Sequence, residues 1–189
     1  GIVVIDSSNN SGAVTVVGGT GAQCYVGGIA GRTNAGGIEN GVTIKDCENS
    51  GVVDLTATKA GWSYAGGISS TTYGGGSSNV YCIVVDGCVN KGRVSVTNGH
   101  ATNAVTLRAG GILGTLNQHT KVYNCTHSGI VAMENTSVKY DYIGGIVGQL
   151  ENTYGLIDSC TNEGTVCSMD KTLKEKDPSK GNIYTLVAG

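Results

Sequence analysis

The sequence predicts an all-β parallel solenoid (β-helix) with about three short strands per coil, four full coils and partial coils at the ends. Three observations predict it: a block that recurs without insertion or deletion, the strand-forming character of that block, and length variation confined to polar stretches between blocks. Internal repetition at 35–41 residues is the usual signature of stacked architectures. Glycines 12, 51, 92, 129 and 164 serve as anchors, with spacings of 39, 41, 37 and 35 residues. Two residues after each anchor stands Val14, Val53, Val94, Val131 or Val166. Seven before stand Ile5, Ile44, Val85, Val122 and Ile157, and four before stand Ser8, Cys47, Cys88, Cys125 and Cys160. Two before are Asn10, Asn49, Asn90, His127 and Asn162.

A second block carries a double glycine: Tyr25-Val26-Gly27-Gly28-Ile29-Ala30-Gly31, Tyr64-Ala65-Gly66-Gly67-Ile68, Arg108-Ala109-Gly110-Gly111-Ile112 and Tyr142-Ile143-Gly144-Gly145-Ile146. The last seven residues, from Ile183, read as a degenerate copy that has lost the double glycine. Each block is short, β-branched and punctuated by glycine, which indicates strand and not helix. Three strands per coil are expected: the Gly-Gly-Ile segment, the Ile/Val segment before Cys, and the Gly-x-Val segment after it. Stacked coils about 4.8 Å apart would superpose equivalent residues as ladders of Val, Ile/Val, Cys and Ile29-Ile68-Ile112-Ile146. The stretches 31–42, 69–81, 96–107 and 168–182 are rich in Ser, Thr, Asn, Gly and Lys and read as loops. The whole chain, 1–189, is one repeat domain, with repeats at about 1–24, 25–63, 64–107, 108–141, 142–182 and a partial one at 183–189. A propeller fits less well, because it needs four strands per blade and more aromatic packing.

Composition agrees and narrows the function classes. Of 189 residues 32 are glycine and only one is proline, which argues against helical bundles and against collagen. A hydrophobic share of 39% and a mean hydropathy of +0.01 argue against a disordered tail. The net charge of −2 gives no electrostatic footprint for nucleic acid or anionic membrane. The longest apolar runs are four or five residues, too short for a membrane helix. The chain opens at Gly1-Ile2-Val3 without methionine, so a mature or excised segment of a longer protein is expected, with adjoining domains as its neighbours.

The pattern Gly-Gly-Ile-x-Gly, a loop, then Ile-x-x-Cys-x-Asn-x-Gly-x-Val resembles the GLUG repeat of large bacterial cell-surface proteins, including adhesins and immunoglobulin A peptidases. The resemblance covers residues 1 to about 170 and, weakly, the last seven. It implies an extracellular, surface-attached β-helical module. Departures are Ser69-Ser70 in place of Ala30-Gly31, His127 for Asn and Ser8 for Cys, all within the scaffold pattern.

Seven cysteines raise disulfide and metal readings, but there is no C-x-x-C pair. Reduced core thiols are favoured for the stacked four, since parallel ladder side chains do not converge as a disulfide requires; Cys24, Cys82 and Cys167 fall off the ladder. The asparagines read as corner residues that hydrogen-bond one another, with His127 replacing one of them. His100 and His119 fall in loops without a nucleophilic partner at useful spacing. Asp46, Asp86 and Asp158 could supply paired acids or bind calcium, yet their offset from the cysteines is inconsistent, and corner carboxylates accepting backbone N–H bonds explain them more simply. No catalytic residue, metal or cofactor is assigned, and the chain is expected not to be an enzyme.

Aromatic residues are the functional lead. Trp62, Tyr64, Tyr73 and Tyr81 belong to one repeat, which also has the longest glycine-rich excursion, 71–79. Flat rings suit the C–H faces of sugars. Tyr25, Tyr64, Arg108 and Tyr142 share one repeat position and could equally form a scaffold ladder with cation–π contacts at Arg108. Trp62 and Tyr73 are expected to project and line one shallow groove beside Tyr64 or Tyr81. The charged segment 171–180 reads as a solvated loop. The expected function is a stalk or adhesin module of a bacterial surface or secreted protein that contacts a glycan or a host surface protein. The alternative is an accessory repeat region of an extracellular peptidase or polysaccharide-degrading enzyme.

Overall fold

The computed structural model describes residues 1–18, 23–58, 61–76, 79–99, 105–135, 140–151, 154–170 and 185–188. The chain is an all-β solenoid of about four turns whose described strands all pair in parallel with their equivalents one coil away. Each coil visits five sheets in turn. Sheet 1 holds Val3–Asp6, Val42–Lys45, Ile83–Asp86, Thr120–Tyr123 and Gly155–Asp158. Sheet 2 holds the two-residue strands Asn9–Asn10, Glu48–Asn49, Val89–Asn90, Thr126–His127 and Thr161–Asn162. Sheet 3 holds Val14–Gly18, Val53–Ala57, Val94–Asn98, Ile130–Asn135 and Thr165–Asp170. Sheet 4 holds Gln23–Gly27, Gly61–Gly66, Val105–Gly110, Tyr140–Gly144 and Thr185–Ala188. Sheet 5 holds Ala30–Gly36, Ser69–Gly75, Leu113–Leu116 and Val147–Leu150.

Three segments per coil thus resolve into five strands, because two of the expected segments bend. The double glycine splits sheet 4 from sheet 5. A left-handed residue splits sheet 1 from sheet 2 in every coil: Ser7, Asp46, Gly87, Asn124 and Ser159, with φ between 49° and 60°. Small polar residues and glycine tolerate that conformation best. This corner also explains the uneven Asp offsets. Asp46 occupies the left-handed site, whereas Asp86 and Asp158 end the preceding strands and face outward.

Two of the stretches read as loops begin as strands: Ala30–Gly36 and Ser69–Gly75 pair over six residues. Their Ser, Thr and Gly composition suits a strand here because the hydroxyls are satisfied inside the coil. Thr33 Oγ1 lies 3.2 Å from Ser69 Oγ, and Thr120 Oγ1 donates to Thr72 Oγ1 at 3.0 Å. The 168–182 stretch likewise begins inside the strand Thr165–Asp170, and residues 171–184, expected to cap one end, lie outside the described residues. The last segment pairs as a repeat should, Leu186 opposite Tyr142.

The expected ladders form in register. Val14, Val53, Val94, Val131 and Val166 are successive partners, and so are Ile5, Ile44, Val85, Val122 and Ile157. The central members are fully buried, and the terminal ones less so because they have a neighbour on one side. The core is divided. One cluster, inside sheets 3 and 4, contains Leu55, Val94, Val96, Leu107, Met133 and Ile143. Another, inside sheets 1 and 5, contains Ile44, Val85, Val122, Ile68, Ile112 and Leu116 together with Cys47, Cys88 and Cys125. All seven cysteines are free thiols; Cys24 packs against the first cluster and Cys82 lies in a third, smaller one with Ala35, Val42 and Ile83.

Between the two clusters the coil is pinched. The second glycine of each pair presses on the asparagine ladder: a Cβ on Gly28, Gly67, Gly111 or Gly145 would run into Asn49, Asn90, His127 or Asn162. A Cβ on the first glycine would meet the carbonyl oxygen three residues on, that of Ala30, Ser69, Leu113 or Val147. The ladder itself is a directed chain of amides. Asn10 Nδ2 donates to Asn49 Oδ1 at 2.8 Å, Asn49 Nδ2 to Asn90 Oδ1 at 2.8 Å, and Asn90 Nδ2 lies 3.0 Å from His127 Nδ1. Asn49 and Asn90 also donate to the carbonyls of Gly51 and Gly92, which closes the corner. His127 is fully buried, and burial holds its pKa below the ordinary imidazole value against the opposing backbone bond to Asn90.

Three measurements check this account. Val94→Asp, which buries a charge without a partner, should cost about 3 kcal/mol or more, read as a collapse of the urea midpoint followed by circular dichroism. Gly111→Ala should destabilise by about 1–3 kcal/mol, whereas Gly36→Ala, with open space around its Cβ, should be neutral. Equal effects at the two glycines would refute the pinch. For His127, the unfolded chain takes up a proton near the ordinary value, about 6.5, before the folded chain does. Stability is therefore complete above that pH and falls as pH drops below it, by at most about 1.4 kcal/mol per pH unit. Subtracting a His127→Asn series from the wild-type series between pH 5 and 8 should isolate that slope.

Candidate functional site

Sheets 4 and 5 meet at the double glycine, and their outer faces look at each other across that corner. The cross-links are side chains: Arg108 Nε donates to Gln149 Oε1, Arg108 Nη2 pairs with Glu151 Oε1 at 2.7 Å, and the Arg32 guanidinium lies 5.2 Å from the Tyr25 ring centroid. The result is a groove parallel to the solenoid axis, one coil per step.

Strand alternation assigns its walls. On sheet 4, Ser63, Ala65, Leu107, Ala109, Asp141 and Ile143 point inward and are buried, so the residues between them point into the groove. The deep row is Tyr25, Tyr64, Arg108 and Tyr142. Tyr25 and Tyr64 stack with centroids 4.8 Å apart, and Arg108 sits 4.8 Å from the Tyr64 centroid and 5.5 Å from that of Tyr142. Arg108 is 6% exposed, and its charge is compensated by Glu151 and by three rings, Trp62 included at 6.0 Å. Burial pushes the Tyr64 phenol up, with Arg108 pulling the other way. Arg108 Nη1 and Thr115 Oγ1 are buried without a hydrogen-bond partner.

The rim row on the same wall is Gln23, Trp62, Thr106 and Tyr140. Trp62 is 47% and Tyr140 41% exposed, while Thr106 between them is 3% exposed. On sheet 5, Thr33 and Thr72 are buried and interior, so Asn34 and Tyr73, paired in register, face the groove from the opposite rim. Asn117 and Glu151 stand one residue past the paired Leu116 and Leu150, and Asn117 Nδ2 donates to Glu151 Oε2 at 3.2 Å.

Of the four residues singled out in the sequence, Trp62 and Tyr73 therefore project on opposite rims of one groove. Tyr64 lies between and beneath them as a buried ladder residue. Tyr81 lies elsewhere, in a shallow depression of about 420 Å³ on the outside of sheet 1, beside Lys45, Asp86 and Lys121. It does not join the groove because the chain has turned from sheet 5 into sheet 1 before reaching it. Sequence reasoning missed Tyr140, Asn117 and Glu151. Tyr140 was findable, since it precedes Tyr142 by two residues as Trp62 precedes Tyr64.

The other chemistry-bearing residues are structural in their contacts. His119 stacks on Tyr154 at 5.5 Å and places Nδ1 3.0 Å from the Val80 carbonyl oxygen; His100 lies outside the described residues. Asp86 accepts from Asn124 Nδ2 at 3.0 Å, and Lys45 pairs with Asp6 at 2.9 Å. Among the described residues no three His, Cys, Asp or Glu side chains cluster as metal ligands would. No helix among the described residues is long and apolar enough to cross a membrane. No protein-family model matches this chain, and neither a curated protein nor a solved structure shows significant similarity to it, so the groove stands on its own geometry.

Proposed function

We propose that this chain is a non-enzymatic solenoid module of a bacterial surface or secreted protein, a stalk or adhesin that contacts glycans through the groove between sheets 4 and 5. The observation that carries this reading is the pair of exposed aromatic side chains, Trp62 and Tyr73, on opposite rims of a groove whose floor is itself aromatic. A soluble fold gains nothing from leaving such rings in water, whereas ring faces in a polar surround are what a sugar's apolar face stacks on. The resemblance of the repeat to GLUG-type surface proteins points the same way, to an extracellular setting. Monovalent contact of this kind is weak, and a repetitive surface protein raises it by presenting many copies.

The test is a glycan-array screen of this chain followed by Trp62→Ala and Tyr73→Ala. Both variants should lose binding to whatever glycan is captured. Their melting temperatures should move by less than about 2 °C, because surface substitutions stay within about 0.5 kcal/mol. Capture of no glycan, or capture that survives both substitutions, overturns the assignment.

A further inference from the structure

The groove has a built-in length scale, and it selects a shape of ligand. Trp62 and Tyr140 occupy the same outward position two coils apart, with Thr106 the partner of both. Two inter-strand steps separate them by about 10 Å along the solenoid axis. Both rings are close to half exposed, and the nearly buried Thr106 closes the floor between them. Two ring platforms at that spacing, facing the same side, fit a chain that presents the same face at every second unit.

A flat β-1,4-linked glycan has that property. Its successive sugars alternate in orientation, so sugars i and i+2 offer the same face, and its two-sugar repeat closely matches two coil steps. Charge narrows the class further. In this stretch of the groove the outward-facing charges among the described residues are Arg108 and Glu151, and they neutralise each other at 2.7 Å. An acidic sugar would find the cation already matched. The opposite rim offers the amide of Asn117 and the carboxylate of Glu151, groups suited to hydroxyls.

We infer that the groove binds a linear neutral β-1,4-linked glycan lying parallel to the solenoid axis, with one sugar on Trp62 and the next but one on Tyr140. This rests on the glycan-contact reading above. Trp62 is the only tryptophan, so its fluorescence reports the site directly.

The experiment is a titration with glucose, cellobiose, cellotriose and cellohexaose, followed by Trp62 fluorescence and by calorimetry. Affinity should rise at least tenfold between cellobiose and cellotriose, the first chain able to span both rings, and Trp62 emission should shift on binding. Tyr140→Ala should remove that step and leave cellotriose no better than cellobiose. An affinity that grows evenly with length, unchanged emission on binding, or a step that survives Tyr140→Ala overturns the inference. So does binding of cellouronic acid tenfold tighter than of the neutral chain. The length series on the unmodified protein decides the matter even if Tyr140→Ala folds poorly. Capture of some other glycan on an array with no cello-oligosaccharide step sinks this inference alone; absence of all glycan binding sinks the broader reading with it.

Discussion

The contact between the second glycine of each Gly-Gly pair and the buried Asn–His ladder is the constraint on which the rest of the structure depends. Because no side chain fits between them, two backbones approach across the middle of the coil and divide its interior. Branched aliphatic ladders then fill one lobe, and thiols with isoleucines fill the other. The polar ladder tolerates burial only because each amide is answered by the next coil and by a corner carbonyl. The same inward bend makes the outer surface concave. The groove is therefore the outside of the pinch, and neither could exist without the other.

That coupling explains why the deep aromatic row behaves as a second core. Tyr64 and Arg108 are buried although they point away from the solenoid interior, since the facing sheet covers them. Arg108 acts as a cationic spacer in a stack of rings, held by Gln149 and Glu151 from the other wall. Recognition, on our reading, is left to the rims, where ladder packing has no use for a ring.

Much of this was legible beforehand. Five valines at a fixed offset could only stack, and their register followed from the anchor glycines. The amide ladder and the reduced thiols followed from the same stacking. What periodicity did not reveal was the direction of the bend at the double glycine. Convex and concave corners produce the same spacing in sequence, so the sharing of one groove by Trp62 and Tyr73 was an expectation about two residues and not about a surface. Tyr81 was misgrouped because closeness in sequence says little once the chain turns a corner every few residues. The strands at Ala30–Gly36 and Ser69–Gly75 were read as loops because their hydroxyls look solvated, and only the stacked coils supply the partners that let them be buried.

The graded burial of the ladders has a mechanical consequence. Val53, Val94 and Val131 are sealed from both sides, while Val14 and Val166 are sealed from one, and Ile2, Val3 and Val17 in the first coil lie largely open. In a stack where each coil holds only its neighbours, tension along the axis is borne in series and released where adhesion is least. A pull would peel coils from the extremities, and each loss would dissipate work without shearing the middle. The rungs that carry Trp62 and Tyr140 would be the last to part, so a tether built this way would lengthen under load before it let go of what it holds.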